Sequence, residues 1–166
     1  MARLTRLMRH LFTADARSRF PAVDMDRIAA AIAEGERRHH GEVCFAVEST
    51  LPLGQILRGV QARARAESAF ARLRVWDTAA NNGVLLYLLL ADHRIEIVAD
   101  RGLRELVSDA QWRGVCQLLE ERLRSGDHAD AVIAAINEVG NLLAAHFPQV
   151  PSTADVDELP DHPVFL

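Results

Sequence analysis

The most constraining feature of the chain is an unbroken apolar run, followed at once by a polar turn and an alternating segment. The run at residues 84–91 reads VLLYLLLA. Apolar side chains at both odd and even positions are typical of a strand that helices cover on both faces. The turn at 91–93 and the alternation at 94–99 predict a hairpin whose second strand lies nearer the edge of the sheet.

An earlier segment supplies the first strand. Residues 42–49 alternate, with one face formed by Val43, Phe45 and Val47. A helical pattern from Pro52 to Leu73 separates this strand from the apolar run, and a crossing helix favours a parallel pair of strands. With three strands and helices before, between and after them, the predicted fold class is α/β: a three-layer α/β/α sandwich with a small mixed central sheet.

Residues 22–147 are predicted to form one domain. The chain has 166 residues, of which 49% are hydrophobic, a composition that excludes a disordered chain and suffices for one core. A helix is expected from Asp24 to about His40, ended by Gly41. Two further helices are expected to begin near Ser108 or Asp109 and near Asp127.

The two ends of the chain differ in charge. Residues 1–21 contain an amphipathic basic helix, whose apolar side is formed by Leu4, Leu7, Met8, Leu11 and Phe12. We expect that side to dock on the domain's own core, with binding to a membrane surface as the alternative. Residues 148–166 hold four prolines and four acidic residues, which predicts an extended or partly disordered acidic tail.

Several classes of function are disfavoured. A net charge of −4 and a pI near 6.0 argue against a nucleic-acid partner. The apolar runs are too short for a transmembrane segment, and arginines interrupt the first twelve residues where a signal peptide would need an apolar stretch. Cys44 and Cys116 match no zinc or CxxC spacing. Free thiols and a cytoplasmic location are therefore expected.

No strong catalytic motif is present, and the candidate site consists of carboxylates and amides at the ends of elements. Asp77, Asn82 and Asp100 are expected at one edge of the sheet, with Asp109 opening the next helix. Their oxygens are the ligands that Ca²⁺ or Mg²⁺ requires, so these four residues form a predicted metal site. The alternative is purely structural: an exposed loop residue, a turn and a helix cap.

Residues 76–103, WDTAANNGVLLYLLLADHRIEIVADRGL, resemble the TPM domain, a family named for thylakoid-lumen, photosystem-repair and receptor-modulator members. The matching features are an Asn-Gly-Val loop that enters an apolar strand, an Asp-containing turn, an amphipathic strand and a Gly-Leu exit. A helix, a glycine and a strand at residues 34–47 also look like the opening of the family's domain. The resemblance covers about residues 25–146.

The resemblance implies an α/β/α sandwich and several different activities. Some members are described as weak acid phosphatases, some bind Ca²⁺ through acidic loop residues, and others are accessory proteins of membrane complexes. Many carry a signal peptide and a membrane anchor, whereas this chain resembles the short bacterial form. It also has Asp100-Arg101-Gly102 where a plain glycine is common in exported members.

Two functions are therefore expected. The first is an accessory or interaction protein that supports a membrane-associated partner, with divalent cation binding by the acidic loops. The alternative is a weak metal-assisted acid phosphatase, that is, a phosphomonoesterase in which a divalent ion held by the acidic residues polarises the phosphate.

Overall fold

The computed structural model describes residues 2–149 and 158–166. Within them the chain forms seven α-helices, four strands and a 3₁₀ turn at Arg101–Leu103. In chain order the elements are α1 (Ala2–Phe12), α2 (Ala16–Arg19), α3 (Ala22–Glu36), β1 (Val43–Glu48), α4 (Leu53–Arg58), α5 (Ala62–Arg72), β2 (Val84–Leu89), β3 (Arg94–Ala99), α6 (Asp109–Leu123), α7 (His128–His146) and β4 (Val164–Phe165).

The strands form one mixed sheet in the order β3-β2-β1-β4. β1 runs parallel to β2, with Val43 opposite Val84, and β2 runs antiparallel to β3, with Val84 opposite Ala99. Every residue of β1 and β2 is buried, whereas β3 begins with an exposed arginine. The predicted parallel pair, the hairpin and the more peripheral third strand are all confirmed.

Helices cover both faces of the sheet, which confirms the α/β/α sandwich. Strand residues at alternate positions pack with α3, α6 and α7 on one face, among them Phe45, Leu86, Ile28, Val115 and Val139. The other strand residues pack with α4 and α5, among them Ala46, Leu85, Ile56, Ala66 and Ala69. The face assignment predicted for β1 follows from the two-residue period of a strand.

The fourth strand lies in the segment for which the sequence predicted extended or partly disordered chain. Val164 and Phe165 pair in parallel with Ala46 and Val47, and Leu159 is buried. A strand of two residues has no periodicity, so only its pairing with β1 reveals it. Part of the predicted tail, residues 150–157, lies outside the described residues.

Two helices differ from the prediction in their bounds. α3 begins at Ala22 rather than Asp24 and ends at Glu36 rather than near His40. The single helix expected from Pro52 to Leu73 is two helices, because Gly59 ends α4 in the left-handed conformation with φ of 74°. Glycine adopts that conformation without a steric penalty and is the usual residue after a helix end.

The predicted docking of α1 through its apolar side is wrong except at Leu7, which packs against the core. Leu4, Leu11 and Phe12 on its apolar side are 66%, 64% and 78% exposed, whereas His10 on the opposite side is 5% exposed. The polar side meets the domain because a buried carboxylate, Asp92, lies beneath it and needs cationic partners. Among the described residues, no helix is both long enough and apolar enough to cross a membrane.

Candidate functional site

Two loops meet at the edge of the sheet where β2 begins and β3 ends, and glycines allow the contact. A Cβ atom on Gly83 would lie 1.9 Å from the carbonyl oxygen of Val75, and one on Gly102 would lie 2.5 Å from that of Asn81. The Asp100 amide donates to the Gly83 carbonyl at 2.9 Å, and the Gly102 amide donates to Asn81 at 2.9 Å. The glycines of the Asn-Gly and Gly-Leu pairs in the sequence therefore allow close contacts between backbones.

Asn82 and Asp100, which belong to these loops, each have one buried oxygen that lacks a hydrogen-bond partner within the described part of the chain: Oδ1 of Asn82 and Oδ2 of Asp100. Their other atoms are engaged. Asn82 Nδ2 donates to the His40 carbonyl at 2.6 Å, and Asp100 Oδ1 accepts from the Arg101 amide at 2.7 Å. Buried oxygens of this kind normally have a partner, and their chemistry fits a hard divalent cation.

The other two predicted ligands are placed differently. Asp77 is exposed and pairs with Arg74 at 2.6 Å. Asp109 begins α6, whose cap is Ser108 rather than Asp109, and it lines a cavity of about 410 Å³ together with Asp100. Asp77 and Asn82 are not among the residues that line this cavity. The structure thus brings Asp100 and Asp109 to one cavity.

This cavity, which we call the loop cavity, also contains basic side chains. Arg63, Arg104 and Arg113 line it, along with Glu96. Burial raises the pKa of Glu96, while Arg63 and Arg94 act to lower it. Three guanidinium groups beside carboxylates suit a phosphate or carboxylate ligand. Within residues 2–149 and 158–166, no three His, Cys, Asp or Glu side chains group as metal ligands, and the metal site stays a prediction.

The opposite edge of the sheet, at the carboxyl ends of β1 and β2, is occupied by α1. Asp92, in the turn between β2 and β3, accepts from Arg6 Nη2 at 2.6 Å and from Arg6 Nε at 3.0 Å. His10 Nε2 lies 3.2 Å from Asp92, while the Leu51 amide donates to His10 Nδ1 at 3.1 Å. The imidazole is therefore neutral with its proton on Nε2. We call these three side chains, Arg6, His10 and Asp92, the α1 latch.

Burial and pairing shift the pKa values of the latch. Burial lowers the pKa of His10 and outweighs the opposing attraction of Asp92. Burial acts to raise the pKa of Asp92, but the hydrogen bond and charge of Arg6 hold that pKa below its usual value. The sequence reasoning missed this cluster. Its signal was an aspartate directly after the apolar run at 84–91, at the edge where parallel sheets place polar groups.

A second buried cluster joins α5 to the sheet. Arg65 binds Glu48 through two hydrogen bonds of 2.8 Å, and the Tyr87 hydroxyl donates to Glu48 at 2.6 Å. Burial raises the pKa of Tyr87, and the neighbouring Glu48 raises it further. A charge buried in this way needs such partners. The arrangement holds a helix on the sheet, and the sequence offered no local signal for it.

A third cluster anchors the end of the chain. The Glu42 carboxylate accepts from the amides of Glu158 and Leu159, at 3.2 Å each. Glu36 accepts from the Val43 amide at 2.9 Å. Its pKa is raised well above the usual range, chiefly by burial and also by Asp161 and Glu42. These carboxylates hold β4 beside β1, which the sequence did not predict.

A family model for the TPM domain matches residues 14–142, which is well over half of the chain. The chain belongs to the TPM domain family. The predicted resemblance is thereby confirmed over nearly the range that the loops and strands indicated. No curated protein matches the chain.

Three solved structures share this fold. The BA42 protein of the psychrophile Bizionia argentinensis is 27% identical, with a TM-score of 0.77, and the match covers 88% of this chain and 94% of that one. The N-terminal domain of a P. gingivalis protein is 17% identical over 80% and 82%, with a TM-score of 0.63. The N-terminal domain of cg2496 from Corynebacterium glutamicum is 15% identical over 82% of each chain, with a TM-score of 0.58. The last two show the fold alone.

Proposed function

We propose that this TPM domain protein is an accessory, interaction protein that supports a membrane-associated partner without turning over a substrate. The orientation of α1 carries the proposal. Leu4, Met8, Leu11 and Phe12 recur at helical spacing and are all exposed. Large exposed apolar side chains on one helix face are typical of a binding surface, since covering them gains about 25 cal/mol per Å².

The charge of the same segment indicates the kind of partner. Residues 1–20 contain five arginines and one aspartate, and Arg9 is about half exposed beside the apolar face. A partner with an acidic rim around an apolar groove complements this segment. An accessory role at a membrane complex is also one of the several roles that the TPM resemblance implies.

Photocrosslinking in the native host tests the proposal. A photoreactive residue at Leu11, which is 64% exposed, is expected to give one discrete protein adduct in the membrane fraction. The matched control carries the same group at Leu106, which is 41% exposed and lies outside α1. The proposal would be contradicted if the probe at Leu11 gave the same adducts in the same yield as the probe at Leu106, or if it captured only small molecules and no protein.

A second function is favoured by the loop cavity. Asp100 and Asp109 face a space that Arg104 and Arg113 also line, and Asp100 has a buried oxygen without a partner among the described residues. A divalent cation held by Asp100 and Asp109, which line the same cavity, would polarise a phosphate ester bound by the arginines. This is a weak metal-assisted phosphomonoesterase.

Calorimetric titration with Ca²⁺ and Mg²⁺, followed by a phosphomonoester assay, tests the second function. Asp100→Asn is expected to abolish both cation binding and hydrolysis. Asp77→Asn is the matched control, because Asp77 is exposed and pairs with Arg74. Equal residual rates in all three proteins would mean that the activity comes from contamination.

We also propose a cytoplasmic location. Both cysteines are free thiols, and burial raises the pKa of Cys44 to about 12 and that of Cys116 to about 11. Two cysteines that form no disulfide are typical of a reducing compartment. Fractionation of the full chain beside a periplasmic marker tests the location, and co-release with that marker would contradict it.

A further inference from the structure

A second cavity lies at the carboxyl edge of β2, away from the loop cavity. It has a volume of about 650 Å³ and opens between the end of α1, the β2–β3 hairpin and helices α6 and α7. Small-molecule sites typically have volumes of about 300–1,000 Å³. The carboxyl edge of parallel strands is also where open α/β sheets bind ligands. We call this space the hairpin cavity.

Part of the hairpin cavity is apolar. Its apolar lining residues include Leu88 and Leu90 at the end of β2, Ile95 in β3, Leu123 at the end of α6 and Phe12 at the end of α1. Leu88 is buried, whereas Leu90, Ile95 and Leu123 are partly exposed. A hydrocarbon group that binds in this space would remove these partly exposed side chains from water, which is favourable.

The charged residues of the hairpin cavity are mainly basic. Arg19 and Arg124 line it, and among the described residues Glu120 is its only acidic lining residue. Arg124 donates to Glu120 at 2.6 Å, which leaves Arg19 as the cation without a carboxylate partner among the described residues.

Arg19 is held in place by a neutral histidine. Arg19 Nη1 lies 3.1 Å from His128 Nε2, and His128 Nδ1 lies 3.1 Å from the Gly126 carbonyl. The carbonyl can only accept and the guanidinium can only donate, so the proton of the imidazole is on Nδ1. One contact of Arg19 is thereby used, and its remaining N–H groups are available to an anion.

We propose that the hairpin cavity binds an amphiphilic carboxylate, with its carboxylate on Arg19 and its alkyl chain against Leu90, Ile95 and Leu123. A guanidinium matches a carboxylate with two parallel hydrogen bonds. The apolar lining favours an alkyl chain in the ligand, and the excess of basic over acidic side chains favours a negatively charged head group. This site requires neither the protein partner nor the metal of the proposed functions.

Titration of the full chain with decanoate tests the ligand class. Decanoate is expected to shift the NMR signals of the Leu90, Ile95 and Leu123 methyl groups and to bind with a calorimetric signal. Decyltrimethylammonium, which has a similar chain and the opposite charge, is expected to bind at least about tenfold more weakly, a difference of about 1.4 kcal/mol. Equal binding of the two amphiphiles, or shifts confined to other methyl groups, would overturn the proposal.

Surface variants then test the residues. Arg19→Gln is expected to weaken decanoate binding about tenfold, whereas Glu120→Gln frees Arg124 and is expected to strengthen it severalfold. Arg122→Gln is the matched control, since Arg122 is in α6 like Glu120 but does not line the cavity. Leu11→Ser separates this site from the proposed protein interface, because it removes an outward side chain of α1 and is expected to leave decanoate binding unchanged. Unaltered binding in Arg19→Gln would overturn the assignment.

Discussion

The two edges of the sheet satisfy their polar groups in opposite ways. At the carboxyl edge, Asp92 is surrounded by Arg6, Arg9 and His10, and the Ser49 hydroxyl accepts from the Ala16 amide at 2.7 Å. At the other edge, Asn82 Oδ1 and Asp100 Oδ2 are buried without a partner among the described residues. At the carboxyl edge the chain's own first helix therefore pairs the buried carboxylate, whereas at the other edge two buried oxygens accept no hydrogen bond from the described residues.

This difference distinguishes a cluster that holds α1 in place from a potential ligand site. The latch holds α1 by its polar side, and the consequence is an outward apolar face. The loops at the other edge are held by contacts between backbones at Gly83 and Gly102, which leaves side-chain oxygens unused. The proposed interaction surface lies at the edge where α1 docks, and the proposed cation site lies at the other edge.

The largest expected effect on stability comes from crowding the loop contact at Gly83. Gly83→Ala would place a Cβ atom 1.9 Å from the Val75 carbonyl oxygen, so backbone must move, and we expect a loss of about 3 kcal/mol or more in the free energy of unfolding. Urea denaturation measures it. Gly114→Ala in α6 is the control, since nothing lies within 4 Å of the new Cβ, and it should stabilise by about 0.5–1 kcal/mol. Similar midpoints for the two variants would contradict the packing argument.

Breaking the α1 latch should have the next largest effect on stability. Asp92→Asn removes the charge that Arg6 and His10 surround, and we expect α1 docking to weaken by about 2 kcal/mol. Hydrogen exchange of the α1 amides, compared with those of α7, measures the change. Asp24→Asn is the control because its pair with Arg27 is at the surface. Unchanged exchange in α1 would mean that Leu7 and its apolar neighbours hold the helix.

Acid should loosen the same contact to a smaller degree. The pKa of His10 is lowered in the folded protein, while an unfolded histidine titrates at about 6.5. Below about pH 6.5 the unfolded chain binds more protons, so this contribution to stability is present above that pH and falls as the pH drops through the folded pKa. The Asp92 contribution is lost at still lower pH, since its pKa is also lowered.

The measurement is the protection of the α1 amides at about pH 7.5 and about pH 5.5, corrected for intrinsic exchange rates. Protection relative to α7 is expected to fall at the lower pH in the wild-type chain. His10→Gln removes the titrating group, so its relative protection should no longer depend on pH over this interval. A wild-type protein with constant relative protection would contradict the latch.

The smallest effect is expected on the outward face of α1. Leu11→Ser and Phe12→Ser change side chains that are 64% and 78% exposed, so the free energy of unfolding should change by less than about 0.5 kcal/mol. Chemical denaturation measures it, with Leu86→Ser in β2 as the destabilising comparison, since Leu86 is fully buried. A loss comparable to that of Leu86→Ser would show that this face packs against the protein.

Much of the fold is predictable because strand and helix periods are local properties of the sequence. Alternation at Val43, Phe45 and Val47 identifies one face of β1, and the run from Val84 identifies a strand buried on both faces. The helix break at Gly59 depends on a single left-handed residue, and periodicity continues across it. β4 was not predictable, because two residues carry no period and their pairing partner lies more than a hundred residues away.

The candidate site is predictable only in part, since residue type does not give distance. The sequence identified Asn82 and Asp100 beside glycines, and the structure places their loops in contact. It also identified Asp77, which lies in an exposed pair with Arg74. The basic residues of the two cavities come from separate elements, and only folding brings Arg19 of α2 beside His128 of α7.

By itself, the sequence determined the family, the layered α/β class and the inner and outer faces of the central strands. These follow from local periodicity and from the cost of exposing apolar side chains. Only the tertiary structure decided which side of α1 meets the domain. An amphipathic helix has two surfaces that can bind, and here a buried carboxylate in a distant turn outweighed the apolar face, because a charge removed from water must be paired.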